Sequence, residues 1–292
     1  MARTMTVSRG FVTEAWQPHE DPVAYGDFSN PATKSSYRCY MLSGSDSREI
    51  RESASEIKFF VDRDTAGRLR ERVRGLLAPD PFASGPDADQ YATATLYFDT
   101  DNYAVYNRRG SYRRAKYRVR RYGSGDLVFL ERKLRTADCL SKRRTSVRIE
   151  DLPLLTSQTV DAAWAGAWFH ERLLMRRLGA VCQINYRRTA RVGMTDYGPI
   201  RLTLDEDLCG LPIDQPDFRP IDGAVSLTPL TIVEMKFRAA MPSVFKKIVE
   251  EFSLRPGRIS KYRLGIEAAR PGVAASAAAR RAEIAALKAS NA

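Results

Sequence analysis

The sequence predicts an α+β domain built around an antiparallel β-sheet that carries charge on one face. Short strand-like segments alternate with turn signals, and a few longer segments have the apolar periodicity of helices. Charged residues recur at every second position of several strands, which places them on one face because residues i and i+2 point the same way. With 43% hydrophobic residues among 292, the chain has enough apolar material for a core.

Charge and hydropathy limit the possible functions. The net charge is +12, and residues 108–148 contain fifteen Lys and Arg against three acids, so this segment alone accounts for the excess. Such a charge indicates an anionic partner: nucleic acid, acidic lipid or a phosphorylated metabolite. No segment reaches the roughly 18 consecutive apolar residues of a spanning helix, and residues 1–10 lack the apolar core of a signal peptide. We therefore expect a cytoplasmic protein, peripheral at the inner face of a membrane if it is membrane-associated at all.

The cysteines and histidines predict neither a zinc site nor a disulfide framework. They are widely spaced and form no Cys-x-x-Cys pair: Cys39, Cys139, Cys182, Cys209, His19 and His170. We expect reduced thiols, and a packing or surface role for His170.

Composition divides the chain into three parts. Residues 1–52, rich in Ser, Pro and Gly, are expected to form an irregular leader, and residues 268–292, rich in Ala, a helical tail. The domain between them, residues 53–267, begins with a strand at Glu56–Asp62. A helix follows from Asp64 or Thr65 to about Leu77 and ends before Pro79.

The rest of the domain is mostly strands. Four come first, with a hairpin turn at Gly123–Asp126: Ala92–Asp99, Lys116–Tyr122, Leu127–Arg135 and Lys142–Glu150. A helix is predicted over Val160–Leu178 because apolar residues form a stripe at helical spacing. Three more strands and a short helix precede a last segment at Ile259–Ile266: Val181–Met194, Ile200–Asp205, Leu230–Phe237 and Pro242–Phe252.

Charged residues occupy i and i+2 or i+4 positions in six of these strands. One such strand is ordinarily a solvent-exposed face, but six in one domain favour a barrel whose charged face lines a lumen. The pairs are Glu56 and Lys58, Arg118 and Arg120, Glu131 and Lys133, Lys142 and Arg144, Arg201 and Asp205, and Glu234 and Lys236. Asp205 is expected either to line the lumen as a further carboxylate or, preferably, to pair with Arg201.

Three of the pairs have the form Glu-x-Lys, which places a carboxylate beside an ammonium group. Carboxylates suit Mg²⁺ or Mn²⁺, and these ions keep positions open for phosphate oxygens. Lys and Arg neutralise the remaining phosphate charge. The excess of bases over acids predicts a strongly anionic occupant, such as a triphosphate or polyphosphate.

At these residues the sequence resembles the vacuolar transporter chaperone (VTC) domain, the polyphosphate-polymerase branch of the triphosphate tunnel metalloenzymes (CYTH group). Nine segments carry the resemblance, in family order: EIKF (56–59), TLYFD (95–99), YRVRRYG (117–123), FLERK (129–133), SKRR (141–144), YRRTA (186–190), RLTLD (201–205), VEMKF (233–237) and ISKY (259–262). The resemblance implies an antiparallel eight-stranded β-barrel tunnel with helices packed outside, which binds a triphosphate or polyphosphate chain.

The resemblance also implies residue roles. The phosphate-binding set would be Lys58, Arg118, Arg120, Lys133, Lys142, Arg144, Arg188, Arg201, Lys236, Ser260 and Lys261. The catalytic set would be Lys58, Arg118, Arg120, Lys133, Arg188, Arg201 and Glu234. Glu234 would hold a Mn²⁺ or Mg²⁺ ion, with Glu131 and Glu56 as further candidates. Ala54 stands where the CYTH triphosphatases have a second upstream Glu, which favours the polymerase branch.

Three functions follow as hypotheses. The first is an ATP-polyphosphate phosphotransferase, which transfers the γ-phosphoryl group of ATP onto a growing polyphosphate chain. The second is a triphosphate hydrolase on the same tunnel. The third is a non-catalytic polyanion or nucleic-acid module, with Tyr112, Tyr117 and Tyr122 as stacking candidates. Glutamates among the bases disfavour nucleic acid, and any membrane-protein partner is expected to be a separate polypeptide.

Overall fold

The computed structural model describes residues 46–51, 54–81, 83, 89–135 and 140–290, so most of the predicted leader lies outside the described residues. The strands are β1 (Asp46–Arg51), β2 (Ala54–Val61), β3 (Ala78–Pro79), β4 (Gln90–Asp99), β5 (Ala115–Tyr122), β6 (Leu127–Arg135), β7 (Leu140–Arg148), β8 (Gly179–Thr195), β9 (Gly198–Pro212), β10 (Val225–Ser226) and β11 (Thr231–Arg238). The α-helices are α1 (Arg63–Arg74), α2 (Ala167–Arg176), α3 (Ser243–Glu251), α4 (Lys261–Ala269) and α5 (Pro271–Ser290).

One antiparallel sheet contains all these strands. Nine follow one another in the order β1-β7-β6-β5-β4-β8-β9-β11-β2, while β3 and β10 pair at the side with β8 and β9. The two edge strands, β1 and β2, are separated in sequence only by residues 52 and 53, so their ends lie within about 11 Å of each other. The sheet therefore curls until the end of β1 comes near the start of β2, which makes a tunnel whose seam is not closed by hydrogen bonds in the described residues.

Two expectations are corrected here. Residues 46–51, placed by composition in the irregular leader, form strand β1 on the edge of β7. The predicted closed eight-stranded barrel is instead a path of nine strands, and the described residues show no pairing between β1 and β2. Strand β1 pairs with β7 and strand β2 with β11, so the seam between β1 and β2 stays open.

Three of the α-helices in the described residues cover the outer face of the sheet, as expected, while α5 packs on α4. Helices α1 and α3 pack on β2, β9 and β11 around Phe59, Leu69 and Phe245, and α2 packs on β4–β6 through Phe169. Helix α4 instead lies against the inner face, where a Cβ at Gly265 would be 2.6 Å from Ile184 Cδ1. One helix thus fills an end of the tunnel, contrary to the prediction that helices pack only outside.

Local sequence explains where two helices begin. Asp62 caps α1, because its Oδ1 accepts the amide hydrogen of Thr65 at 2.7 Å. Helix α2 begins at Ala167, seven residues later than predicted. A Cβ at Gly166 would lie 2.4 Å from the Trp164 ring, so the chain folds back on that indole instead of continuing as helix. None of the helices in the described part is long and apolar enough to cross a membrane.

Asp99, at the end of β4, ties α4 to the sheet. Its carboxylate accepts backbone hydrogen bonds from Thr100, Val105 and Tyr106 and a further one from the hydroxyl of Tyr262 on α4. The residue is almost fully buried. Burial beside this carboxylate raises the pKa of Tyr262 far above its usual value, which keeps the phenol protonated as the donor.

We expect Asp99→Ala to lower the free energy of unfolding by about 3–5 kcal/mol, because it leaves several buried donors without an acceptor. Urea denaturation measures the change. The exposed neighbour Asp101, changed in the same way, should alter stability by less than about 0.5 kcal/mol. Equal effects of the two substitutions would contradict the anchoring role of Asp99.

Candidate functional site

The inner face of the sheet carries the charged residues that the strand pattern singled out. Cross-strand register places on this face eleven basic residues, Lys261 reaching it from α4: Lys58, Lys116, Arg118, Arg120, Lys133, Lys142, Arg144, Arg188, Arg201, Lys236 and Lys261. Among the side chains that the structure describes, the carboxylates on this face are Glu56, Glu131, Asp205 and Glu234. Cations thus outnumber carboxylates, and the face has a strong net positive charge.

Strands β2 and β11 arrange opposite charges in alternation. Glu234 lies directly across from Lys58, and Lys236 across from Glu56. The Lys58 Nζ is 2.9 Å from an oxygen of Glu234 and 2.9 Å from an oxygen of Glu56. Lys261 Nζ also donates to Glu234, at 2.7 Å. Burial opposes ionisation of Glu234, but Lys261, Lys58 and Lys236 outweigh it and hold its pKa well below the usual range.

Asp205 lines the tunnel, but its partner is not the one expected. Its carboxylate accepts two hydrogen bonds from Arg188, at 2.6 and 2.8 Å, and lies 2.5 Å from Lys261 Nζ. Arg201 pairs instead with Asp80 at 2.7 Å and donates to the hydroxyl of Tyr91 at 2.6 Å. The preferred pairing of Asp205 with Arg201 is therefore wrong, because the partner of Asp205 comes from β8 and that of Arg201 from the segment after β3.

On the opposite wall, Glu131 is surrounded by cations from both neighbouring strands. Arg118 Nε lies 2.6 Å from it, Lys142 Nζ 3.1 Å and Arg144 Nε 3.4 Å. Lys142 and Arg144 both point inward, whereas Arg143 between them stacks on the Trp168 ring at 4.2 Å on the outside. Burial acts to raise the pKa of Glu131, but Arg118 and Lys142 outweigh burial and hold this pKa well below its usual range. The carboxylate therefore stays ionised.

Among the described residues, Arg120 is the buried cation with the fewest partners. Its Nε donates to Thr95 Oγ1 at 3.2 Å, and no carboxylate of the described chain lies within ion-pair distance of it. Tyr122 faces the same space, with its ring 6.0 Å from the guanidinium carbon. Burial raises the pKa of Tyr122, but Arg120 and Arg144 outweigh this and lower it to about 7. A buried guanidinium with unused donors suits an anionic ligand.

Contacts across the lumen show that the walls face each other. Lys133 on β6 lies 3.5 Å from Glu56 on β2, strands at distant positions in the sheet order. Lys116 Nζ on β5 donates to Ser260 Oγ, just before α4, at 3.1 Å. Ser260 and Lys261 therefore stand at the end of the tunnel that α4 occupies.

Sequence reasoning missed some residues of this site. Lys116 is placed on the face of Arg118 and Arg120 by the i, i+2 rule, but the family resemblance gave it no phosphate-binding role. Tyr122 continues the same alternation, although the sequence suggests only a stacking role for it, whereas Asp80 and Tyr91 carried no such signal, because neither a residue after a short strand nor a tyrosine in an aromatic-rich strand is distinctive alone. His170 is outside the site, where its Nε2 lies 2.9 Å from the Ser157 carbonyl oxygen.

The carboxylates fit a divalent ion that arrives with a phosphate, and they do not form a complete metal site by themselves. The described residues contain no cluster of three or more His, Cys, Asp or Glu side chains. Lys58 bridges Glu234 to Glu56, and Lys261 bridges Glu234 to Asp205. Lysine ammonium groups therefore occupy the positions between these carboxylates. One or two carboxylates plus substrate oxygens are the usual ligands of Mg²⁺ in phosphate chemistry.

The pKa values of two lysines predict a pH dependence of anion binding. Partial enclosure in the tunnel and the neighbouring cations Lys58, Lys133 and Arg118 lower the pKa of the solvent-exposed Lys116 to about 8, and burial lowers that of Lys236 to about 8 as well. Because both ammonium groups lose their proton above this pH, the inner face becomes less positive. We expect the affinity for tripolyphosphate to fall by about tenfold between pH 7 and pH 9, measured by calorimetry.

The Lys116→Arg variant supplies the control, because arginine stays protonated throughout this range. Its affinity should fall less steeply with pH than that of the wild-type protein. Ionisation of the ligand itself affects both proteins alike. Identical pH profiles would show that Lys116 does not titrate in this range.

Together these features define the class: an α+β tunnel domain whose curved antiparallel sheet has a cationic, carboxylate-containing inner face. A sequence profile of the VTC domain matches residues 53–270. The chain belongs to the VTC domain family.

Other comparisons give distant similarities. A search of curated proteins found no match. Among solved structures, the chain is similar to a proposed adenylate cyclase from Bacillus halodurans, with a TM-score of 0.45 and 15% identity over 73% of this chain and 95% of that one. It is also similar to a proposed adenylyl cyclase from Hippeastrum with a dominant triphosphatase activity, with a TM-score of 0.40 and 12% identity over 72% and 93%. The PH1819 protein of Pyrococcus horikoshii matches with a TM-score of 0.39 and 15% identity over 73% and 98%.

Proposed function

We propose that the protein is a polyphosphate polymerase, which transfers the γ-phosphoryl group of ATP onto a growing inorganic polyphosphate chain. The observation that carries the proposal is the inner face itself, where Arg120 is buried among many other cations and has no carboxylate partner in the described part of the chain. Burying an unpaired charge is costly, so such an arrangement is typical of a site built for a multiply charged anion.

The basic residues lie on two opposite walls of the tunnel. Arg118, Arg120 and Arg144 present guanidinium groups that match phosphate oxygens, and Lys133 and Lys142 add charge on the same wall. Opposite them, Lys58 and Lys236 flank Glu234 and Glu56. Such an arrangement would hold two phosphate groups in line and neutralise the charge that develops during transfer.

Glu234, with Glu56 beside it, would hold a Mg²⁺ or Mn²⁺ ion. When bound, the ion would neutralise charge on the phosphate oxygens and help align the chain. Lys58 and Lys261, which contact Glu234 without the ion, would then be free to donate to the phosphates.

The reaction needs no general base from the protein. An oxygen of the terminal phosphate attacks the γ-phosphorus of ATP, the bond from that phosphorus to the β-phosphate oxygen breaks, and ADP leaves. The attacking oxygen is already ionised at neutral pH. This agrees with the absence of any histidine from the inner face in the described part of the chain.

Two alternatives are less well supported. Hydrolysis would need a water in place of the attacking phosphate, and the resemblance to CYTH triphosphatases is weakest at Ala54, where they have a further carboxylate. Nucleic-acid binding would need exposed stacking rings, but Tyr117 is buried in the core and Tyr122 is enclosed between Arg120 and Arg144.

The test is to incubate the purified protein with ATP and Mn²⁺ or Mg²⁺ and to separate the products by size. A ladder of phosphate polymers, with ADP released in equal amount to the phosphoryl groups incorporated, is the expected result. Free phosphate without polymer, from ATP or tripolyphosphate, would assign hydrolysis instead. Tight, metal-independent binding of polyphosphate without turnover would assign a binding module.

A further inference from the structure

A second basic surface lies on the outside of the same two strands that carry Arg118 and Glu131. It is a groove of about 410 Å³ between α2, the ends of β5 and β6, and the 3₁₀ turn Gly110–Arg114. Its described lining has no carboxylate and consists of small and apolar residues and four arginines: Arg114, Arg132, Arg172 and Arg176.

Among the described residues, no carboxylate neutralises these arginines. The guanidinium of Arg172 lies 3.8 Å from the Met175 sulfur, and Arg176 donates to Ser111 Oγ at 3.2 Å. Neither they nor Arg114 and Arg132 form an ion pair within the part of the chain that the structure describes. In addition, the buried Nε atoms of Arg132 and Arg176 have no hydrogen-bond partner there.

The groove has a fixed shape rather than being a loose group of exposed side chains. Arg176 stacks on the Tyr112 ring at 4.5 Å, and the Tyr112 hydroxyl donates to the Arg176 carbonyl oxygen at 3.2 Å. Arg172 and Arg176 lie one helical turn apart, so they share a face of α2. A held guanidinium loses less conformational entropy when it binds an anion, which favours binding.

Strand geometry places the groove close to one end of the tunnel. Arg132 and Leu134 alternate along β6 with the inward residue Lys133, and Ala115 and Tyr117 flank the inward Lys116 on β5. The groove therefore lies on the outer face of a short stretch of β5 and β6 whose inner face carries Lys116 and Lys133. Arg114 directly precedes β5, at the edge between the two surfaces.

We propose that this outer groove is a second phosphate-binding site, which holds the part of a polyphosphate chain that extends beyond the tunnel. The identity of the ligand rests on the proposed function, but the site itself rests on the groove. Arginine is well suited to successive phosphate groups because its planar donors bind two oxygens at once. The volume is that of a pocket for a ligand much larger than one phosphate.

The concave shape favours a phosphate chain over a membrane surface. A bilayer is bound best by a flat or convex surface with several exposed apolar side chains among the cations. Here Met175 is the only strongly exposed large apolar residue that lines the groove. The arginines instead surround a depression, which an extended flexible anion can enter.

The experiment compares a short and a long phosphate chain. Tripolyphosphate is short enough to be bound by the inner face alone, whereas a chain of many phosphates can occupy both surfaces and gain affinity from the linkage. We expect Arg172→Gln combined with Arg176→Gln to weaken binding of the long chain by about tenfold. Binding of tripolyphosphate should remain within about twofold of wild type.

The matched control is Arg68→Gln combined with Arg72→Gln. These residues have the same i, i+4 spacing on α1, which packs on the other side of the sheet. The control removes the same charge, so a general electrostatic effect would weaken long-chain binding equally in both double variants. Equal weakening, or none in either, would overturn the proposal.

Two further measurements keep the result interpretable. If the α2 double variant melts at a lower temperature, the single charge reversal at the exposed Arg172, Arg172→Glu, replaces it and should show the same chain-length selectivity. Vesicles of phosphatidylcholine with phosphatidylserine test the membrane alternative: loss of vesicle binding with unchanged long-chain affinity would overturn the proposal. Because binding is measured without ATP, a protein that fails to polymerise can still show the groove's selectivity, so the two proposals fail separately.

Discussion

Glu234→Gln is expected to lower kcat by about 10²–10³-fold in the polymer-forming assay, the largest effect of any single substitution. Glutamine keeps the size and one acceptor oxygen of the side chain but loses the charge that attracts a divalent ion. The same change leaves Lys58 and Lys261 without a carboxylate charge between them. Metal-free tripolyphosphate should therefore bind at least as tightly to the variant as to the wild type.

This combination separates a metal-binding role from a structural one. A merely misfolded variant would lose binding together with activity, whereas loss of an ion site removes only turnover. Thermal melting with and without tripolyphosphate reports whether the buried cluster still folds. The control is Glu251→Gln on α3, an exposed glutamate paired with Arg72 at 2.9 Å, which should leave activity unchanged. Full activity of Glu234→Gln would exclude Glu234 as the metal ligand.

Arg120→Met is expected to weaken binding of tripolyphosphate by about 10–100-fold, with a loss in kcat/KM of about 10²-fold or more. The arginine is buried and, among the described side chains, donates to Thr95 alone, so the fold gains little from its charge. Methionine fills a similar volume without that charge. The melting temperature should therefore be unchanged or higher, as it often is when an incompletely paired buried charge is replaced by an apolar residue.

The adjacent arginine offers a matched control for this prediction. Arg121 points to the other side of β5, where it donates to the carbonyl oxygens of Gly125 and Ser124 in the hairpin turn. Arg121→Met removes the same charge one residue away and should change tripolyphosphate affinity by less than about threefold. If the two variants lose affinity equally, net charge and not the position of Arg120 controls binding.

The strands could be predicted from sequence because their signal is local. Alternation of charged and apolar residues located six strands to within a few residues: β2, β5, β6, β7, β9 and β11. The exception is the C-terminal end of β9, which continues to Pro212, beyond its predicted end at Asp205. The same alternation predicted that Arg118, Arg120 and Glu131 share a face, which cross-strand register now places toward the lumen. The roles of these residues stay predictions, since their placement alone does not test what they bind.

Helix limits and the end of the tunnel were harder to predict. The fold-back at Trp164 and Gly166 that delays α2 depends on an indole packing on the backbone, which periodicity does not report. Strand β1 also escaped prediction, since its pairing with β7 is made by residues almost 100 positions apart.

By itself, the sequence determined the charged face and its excess of cations, because side-chain alternation is fixed by strand geometry at each residue. Only the tertiary structure decided which charges meet. It paired Asp205 with Arg188 rather than Arg201, and it brought Lys261 from α4 between Asp205 and Glu234. The reason is physical: ion pairs depend on strand register and on how the sheet curls, and both are set by packing between residues far apart in the chain.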